Sequence, residues 1–335
     1  MAVDINDENQ NGILQQQGDY ILVGNPYMAS LRMDEFFKGQ PGLVPSYWTF
    51  NGSVASAALA TPTVITATGD DNADGIIRPL QAFFVKKKTA SELAEGEDEA
   101  TAIVFTRAMT IDGNYPAIPE TSPSRQLTLS VAATEGASSA VVLLSDEADG
   151  DYREGEDVET LFDSNLADVP MVYTVADGGQ AVSIDQRPQL DVVPFGVTCS
   201  SSEPVEVQVT SHLSSLASHL YFVDALTGEQ TEVGQESTIR VQPNDYGRYF
   251  LTTTGLGIDA LPSQEAIVIS VRQHQVTVTA TSNLTAVSAV TLGGANVFRQ
   301  SNVGNTCTFQ LSPGVYVIDA STAGGINRRM KVVVN

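Results

Sequence analysis

The chain has 335 residues, a net charge of -23 at pH 7 and an apolar share of 42%, enough for packed cores and for more than one domain. Acid in such excess excludes nucleic acid and anionic membrane as partners, because neutralising phosphate needs a basic stripe. No apolar run approaches the roughly 20 residues of a membrane-spanning helix.

The start, Met1-Ala2-Val3-Asp4, runs straight into polar residues, without the basic head and apolar segment of a secretory leader. The chain is therefore expected to act inside the cell or to be a fragment of a longer one. Residues 1–18 read as a flexible N-terminal segment. Within them Asp7-x-Asn9-x-Asn11-Gly12 has the front half of a calcium loop, but Gly18 stands where the closing carboxylate belongs.

Tyr20-Ile21-Leu22-Val23 reads as a buried strand that stops at Gly24-Asn25-Pro26, since proline cannot donate to a ladder. Met33 to Phe37 allows one helical turn. An aromatic cluster, Tyr47-Trp48-Thr49-Phe50, precedes a second calcium-like loop, Asp70-x-Asn72-x-Asp74-Gly75. Asp70, Asn72 and Asp74 alternate as calcium ligands do, yet Gln81 replaces the closing glutamate, and a tight polar turn explains the run as well. Calcium is the one cofactor the chain would admit. Leu80 to Val85 is a second apolar strand running into Lys86-Lys87-Lys88, and Trp48 and Phe84 are expected to share a core.

Strand follows strand from there. Gln126–Val131 alternates with period two, and Ala140–Leu144 is continuously apolar. Met171–Val175, Ala181–Ile184, Val192–Val197, Val205–Val209, Leu220–Val223 and Tyr249–Leu251 come next, separated by Gly, Asn, Asp and Pro. The pattern predicts an all-β fold: a large antiparallel sandwich or jelly roll over 19–254, with a subdivision near 120, then a small immunoglobulin-like sandwich over 265–335. Glycine and proline are dense at Thr254–Pro262, between the two.

Catalytic signals are weak. The acidic run from Asp146 to Glu159 reads as a solvated loop, and none of the 40 acids is marked as half of a carboxylate pair. His212 and His219 bracket Ser214 and Ser215 without a nucleophile elbow or helical zinc spacing. Cys199 and Cys307 lie far apart, with no metal-ligand spacing, and would pair only if both fell at one interface. The chain is expected to be non-catalytic.

Val23-Gly24-Asn25-Pro26-Tyr27, Asp34, Phe36, Tyr47, Trp48, Pro79, Gln81 and Ala82-Phe83-Phe84-Val85 together resemble a module found near the C-terminus of secreted and surface proteins of the Bacteroidota. Asp224-Ala225-Leu226-Thr227-Gly228 and Gly247-Arg248-Tyr249-Phe250 resemble its later part. The last stretch is similar to the type IX sorting domain in Gly293-Gly294-Ala295, Leu311–Val317 and Arg329–Val334, and departs from it at Gln273-His274-Gln275, where an Asn-Pro pair is usual. The resemblance implies a structural or adhesion module at the outer cell surface or outside the cell. Upstream domains of a larger chain would precede it, and a protein or glycan would be its ligand. Arg328, Arg329 and Lys331 then form a candidate receptor patch. A carbohydrate-binding or carbohydrate-processing accessory module is the alternative, with Tyr47, Trp48, Phe50, Phe83 and Phe84 as its stacking platform.

Overall fold

The computed structural model describes residues 2–4, 14–17, 20–51, 54–60, 65–67, 75–90, 92–94, 96–111, 125–134, 136–161, 168–177, 179–212, 219–253, 267–272, 274–280, 282–291, 293–325 and 327–334. The fold is all-β. The chain divides into two compact units, Met1–Pro123 with Arg153–Val158, and Ser124–Tyr152 with Glu159–Asn335.

The first unit contains strands β1 (Ala2–Asp4), β2 (Leu14–Gln17), β3 (Tyr20–Gly24), β4 (Leu31–Arg32), β5 (Leu43–Asn51), β6 (Val54–Ala60), β7 (Ile65–Ala67), β8 (Ile76–Ile77), β9 (Ala82–Lys87) and β10 (Ala102–Val104), and the α-helix α1 (Met33–Lys38). Six strands make an antiparallel sheet in the order β2-β3-β9-β5-β6-β7. Two short ladders, β1–β10 and β4–β8, accompany it. Strand alternation decides which side chains enter the core. Ile21 and Val23 of β3, Tyr47 of β5, and Phe83 and Val85 of β9 point to one face, where Phe36 and Phe37 of α1 join them with Phe105 and Met109. Phe36 meets Phe83 edge-on, with ring centres 5.5 Å apart. The helix is short, and burial of Met33, Phe36 and Phe37 holds it, helped by Asp34 and Glu35 in its first turn and Lys38 in its last.

The expected core pair of Trp48 and Phe84 needs correction. The two are register partners on β5 and β9, but they face away from Tyr47 and Phe83 and lie outside that core. Trp48 is buried, edge-on to Tyr20 at 5.3 Å, whereas Phe84 is only half-buried. The strand expected to begin at Leu80 begins two residues later at Ala82, because Leu80 itself turns the chain in the left-handed region, at φ 63.

The second unit begins with β11 (Gln126–Ala133) and β12 (Gly136–Leu144). After β13 (Val158–Glu159), where the chain passes from one unit to the other, follow β14 (Met171–Val175), β15 (Ala181–Arg187), β16 (Val192–Thr198), β17 (Val205–Ser211), β18 (Leu220–Asp224), β19 (Glu229–Val233), β20 (Glu236–Val241), β21 (Asp245–Tyr246) and β22 (Tyr249–Thr252). Hydrogen bonds connect β20-β17-β11-β12-β15-β14-β16-β22-β18-β19 in succession. Every pairing is antiparallel except β12 with β15, which is parallel. Leu129, Val142, Val193, Val209, Phe222, Ile239 and Leu251 meet in one core, so the succession wraps round its own apolar face.

The last strands are β23 (Ile267–Arg272), β24 (Gln275–Ala280), β25 (Leu284–Thr291), β26 (Asn296–Ser301), β27 (Thr306–Gln310), β28 (Gly314–Thr322) and β29 (Asn327–Val334). They form two antiparallel sheets, β21-β23-β24-β27 and β26-β25-β28-β29, around a shared core. The sandwich expected over 265–335 draws on residues outside those bounds: β21 from the preceding region completes one sheet, and Tyr173, Val175, Ala181 and Tyr246 enter its core. β14 explains how. All five of its residues are buried: Val172 packs into the middle core, while Tyr173 and Val175 pack into the terminal one. One strand is a wall between two cores.

Candidate functional site

Asn25 carries the first motif. It is buried, and its amide nitrogen donates to the carbonyls of Ala29 (2.9 Å), Ile77 (3.3 Å) and Arg78 (3.0 Å). Its side-chain oxygen accepts the Tyr27 amide at 3.0 Å, an Asx turn that starts the loop after β3. Its backbone nitrogen donates to the Gln81 carbonyl, and the Gln81 side chain accepts the Arg78 amide, both at 2.9 Å. The Gly-Asn-Pro and Pro-x-Gln signals, more than fifty residues apart in sequence, are thus two halves of one knot. An asparagine does this because it alone combines two amide donors with an acceptor in so short a side chain.

The later motifs meet where the middle and terminal sandwiches join, inside the second unit. Arg248 donates from Nε and Nη2 to the two oxygens of Asp224, at 2.8 and 2.7 Å, and from Nη1 to Asp245 at 2.8 Å. The other oxygen of Asp245 accepts Ser270 and Arg272, each at 2.7 Å. Ser270 and Arg272 belong to β23, so the network crosses from one sandwich to the other. Burial works against ionisation of Asp224, but the Arg248 guanidinium and the Leu226 amide outweigh it and hold its carboxyl below the ordinary value. The same carboxylates, first of all Asp224, push the Arg248 pKa further up. Beneath the network Tyr173 and Tyr246 stack 6.2 Å apart, and burial raises both phenols.

The closing strand does not gather Arg328, Arg329 and Lys331 into one patch. The two-residue period sends Arg328 to the same face as Met330 and Val332, and Arg329 and Lys331 to the other. Arg328 is half-buried, with its guanidinium over the Phe250 ring at 6.0 Å, and burial lowers its pKa. A Cβ on Gly247 would stand 2.7 Å from it, so glycine serves there both for close approach and for φ 80. Arg329 is exposed and donates to Asp319, with 2.9 Å from Nε. Lys331 lies 3.7 Å from Glu159. β29 is the edge of its sheet, and Gly179, in the turn between β14 and β15, comes so close to the Arg329 carbonyl that a Cβ there would stand 2.5 Å from it.

The calcium-like residues Asp70, Asn72 and Asp74 lie outside the described residues, as do those of the loop at Asp7 and Ser214 and Ser215. Among the described residues no three His, Cys, Asp or Glu side chains gather in a way that would hold a metal. His219 pairs with Glu232 at 2.5 Å, and His212 and His274 are exposed. Cys199 and Cys307 are both buried, and neither is in a disulfide. In the acidic run, Asp157 is buried and accepts the Arg153 amide at 2.7 Å, while Glu154 pairs with Lys86.

Two arrangements went unread in the sequence. Asp185 and Arg187 form a buried pair, with Nε 2.9 Å from each carboxylate oxygen and Nη2 2.5 Å from the Val175 carbonyl. Burial raises the Asp185 carboxyl despite its partner. Opposite charges two apart in an apolar strand share a face, and that spacing was the available signal. Asp245 and Arg272 had none, since only the fold brings them together. No protein-family model matches the chain, and a search of curated proteins finds no significant match.

Proposed function

We propose that the chain is a non-catalytic structural and adhesion module of a bacterial cell-surface or secreted protein, with its last sandwich acting in sorting or attachment. The observation that carries this reading is what the motif residues do. Asn25 and Gln81 knot two loops, Asp224 and Arg248 belong to a network that reaches Arg272 of the other sandwich through Asp245, and Arg328 lies against Phe250 and Gly247. The residues that bear the resemblance thus spend their polar groups on architecture, as a load-carrying module would require. A stacking platform for sugar finds little support, since Trp48 is buried against Tyr20.

Because the terminal sandwich shares its core with preceding strands, the test uses the whole chain. A reporter is fused ahead of it and expressed in a type IX-competent host and in a secretion-deficient strain. Protease-accessible reporter on the competent cells alone supports the proposal. Folded reporter retained in both strains overturns the sorting role.

A further inference from the structure

We infer that the terminal sandwich pairs edge to edge with a second copy of this chain, through β27. This goes beyond the structural role proposed above. β27 ends the sheet β21-β23-β24-β27, and among the described residues it pairs with β24 alone. Its register with β24 runs from Thr306 to Gln310 without a bulge. Cys307 and Phe309 turn into the core, while Thr306, Thr308 and Gln310 are exposed. Alternate amides and carbonyls therefore point away from β24, where a further strand would bond.

The other edge strands described in the second unit are each defended. β19 carries Glu229 and Glu232, and β20 carries Glu236 and Arg240. β21 is two residues long. β29 carries Arg328, Arg329 and Lys331, with the Gly179 turn set against the Arg329 carbonyl. β26, the edge of the facing sheet, has Arg299 and a register shift that leaves Val297 as an extra residue. Charge, shortness, cover and bulges all keep a strand from pairing with another chain. β27 has no charge, no proline and no bulge.

Charge and symmetry select a second copy. Residues 264–335 hold five Lys or Arg and two Asp or Glu, whereas residues 1–263 hold 12 and 38. Two copies therefore repel least through the terminal sandwich. β27 lies three strands from β21, which stands at the junction with the middle sandwich. That distance, about 14 Å, exceeds the Debye length of about 8 Å at physiological salt. A two-fold axis through Thr308 pairs β27 with itself, antiparallel. Thr306 then faces Gln310 of the second copy and Cys307 faces its Phe309, so no like charges meet. Thr308 already meets Thr277 of β24 across the ladder, with 3.3 Å between hydroxyls, and the new pairing repeats that contact between the two Thr308 residues. The two four-stranded sheets become one continuous sheet.

The test follows the full chain by sedimentation equilibrium from micromolar to near-millimolar concentration, at low and at high salt, beside two double variants. Thr306→Lys with Gln310→Lys sets like charges across the axis, and Thr306→Lys with Gln310→Glu sets opposite ones. The wild type is expected to dimerise, and more tightly as salt rises, because screening relieves the repulsion between acidic chains. The like-charged variant should weaken the dimer roughly tenfold or more, and the opposite-charged variant should keep it. Both variants share the change at Thr306, so association kept by the second shows that this change leaves the fold intact. A wild type that stays monomeric throughout, a dimer indifferent to the like-charged variant, or equal loss in both variants would each overturn the inference. So would association that weakens as salt rises, which would instead place the basic terminal sandwich on the acidic surface of another copy.

Discussion

Arg248 holds both oxygens of Asp224, at 2.8 and 2.7 Å, and with its remaining nitrogen takes Asp245 at 2.8 Å. A guanidinium fork fits two carboxylates in one plane, which an ammonium cannot do. Replacing Arg248 with Met leaves the poorly hydrated Asp224 carboxylate without its cation and Asp245 with Arg272 alone. The expected loss is about 3–5 kcal/mol, read as a lower denaturation midpoint with unchanged slope. Arg248→Lys should fall between the two. A variant as stable as the wild type would show that the network is not a junction.

Acid should weaken the same junction. Asp224 titrates below its ordinary value in the fold, so its contribution is present above the unfolded value and fades as pH falls through the folded one. Asp185 has the opposite sign: its raised carboxyl favours the fold below the unfolded value and loses that contribution as pH rises through the folded one. Over a series from neutral pH down to below the Asp224 value, Asp224→Asn should therefore lose less stability than the wild type and Asp185→Asn should lose more.

At the other knot, Asn25→Ala strips donors from three carbonyls and should destabilise the first unit by about 2–3 kcal/mol, the usual range for buried groups left unpaired. Asn25→Asp is the sharper experiment. It keeps the acceptor for Tyr27 but turns a second oxygen toward the carbonyls of Ala29, Ile77 and Arg78. Its carboxyl should titrate high, so this variant alone should gain stability as pH falls. Thermal melts of both variants across pH check the contrast.

A fragment of residues 264–335 should not hold a fixed fold, whereas 124–335 should. The shorter piece lacks Tyr173, Val175, Ala181 and Tyr246 from its core and β21 from its sheet. Near-UV dichroism and amide dispersion separate the outcomes, and a well-dispersed short fragment would contradict the shared core.

The two thiols should ignore Ellman's reagent in the native protein. Cys199 and Cys307 are both buried, and burial raises the Cys307 thiol. Labelling should appear only as the chain unfolds, with two equivalents released per chain.

Periodicity made most of the strands legible. Gln126–Val131, Ala140–Leu144 and Val205–Val209 alternate or run apolar, and each lies in a strand. β6, β19 and β26 were not read, for two reasons. Val54–Ala60 is built of small residues with little amphipathic contrast, and Glu229–Val233 and Asn296–Ser301 are almost wholly exposed, so no apolar face announces them. Among candidate sites, the motifs named the right residues and the wrong roles. Arg328 looked like a surface charge because its neighbours are cations, and only its parity in β29 turns it toward Phe250. Trp48 and Phe84 are paired on one face, but being one step out of phase with Tyr47 and Phe83 they stay outside the core those two build, and Phe84 is only half-buried.

The double-sided burial of β14 restricts how such a chain can be recombined. Its even and odd positions answer to different neighbours, Val172 to one and Tyr173 and Val175 to the other. Deleting or inserting one residue there would exchange both inventories at once, setting a tyrosine where the middle sandwich has room for a valine. Grafting the last sandwich onto a foreign protein would likewise leave its Tyr173 and Tyr246 positions vacant. The piece that can be inherited or transplanted intact is therefore larger than the sandwich, and its natural cut falls ahead of β11.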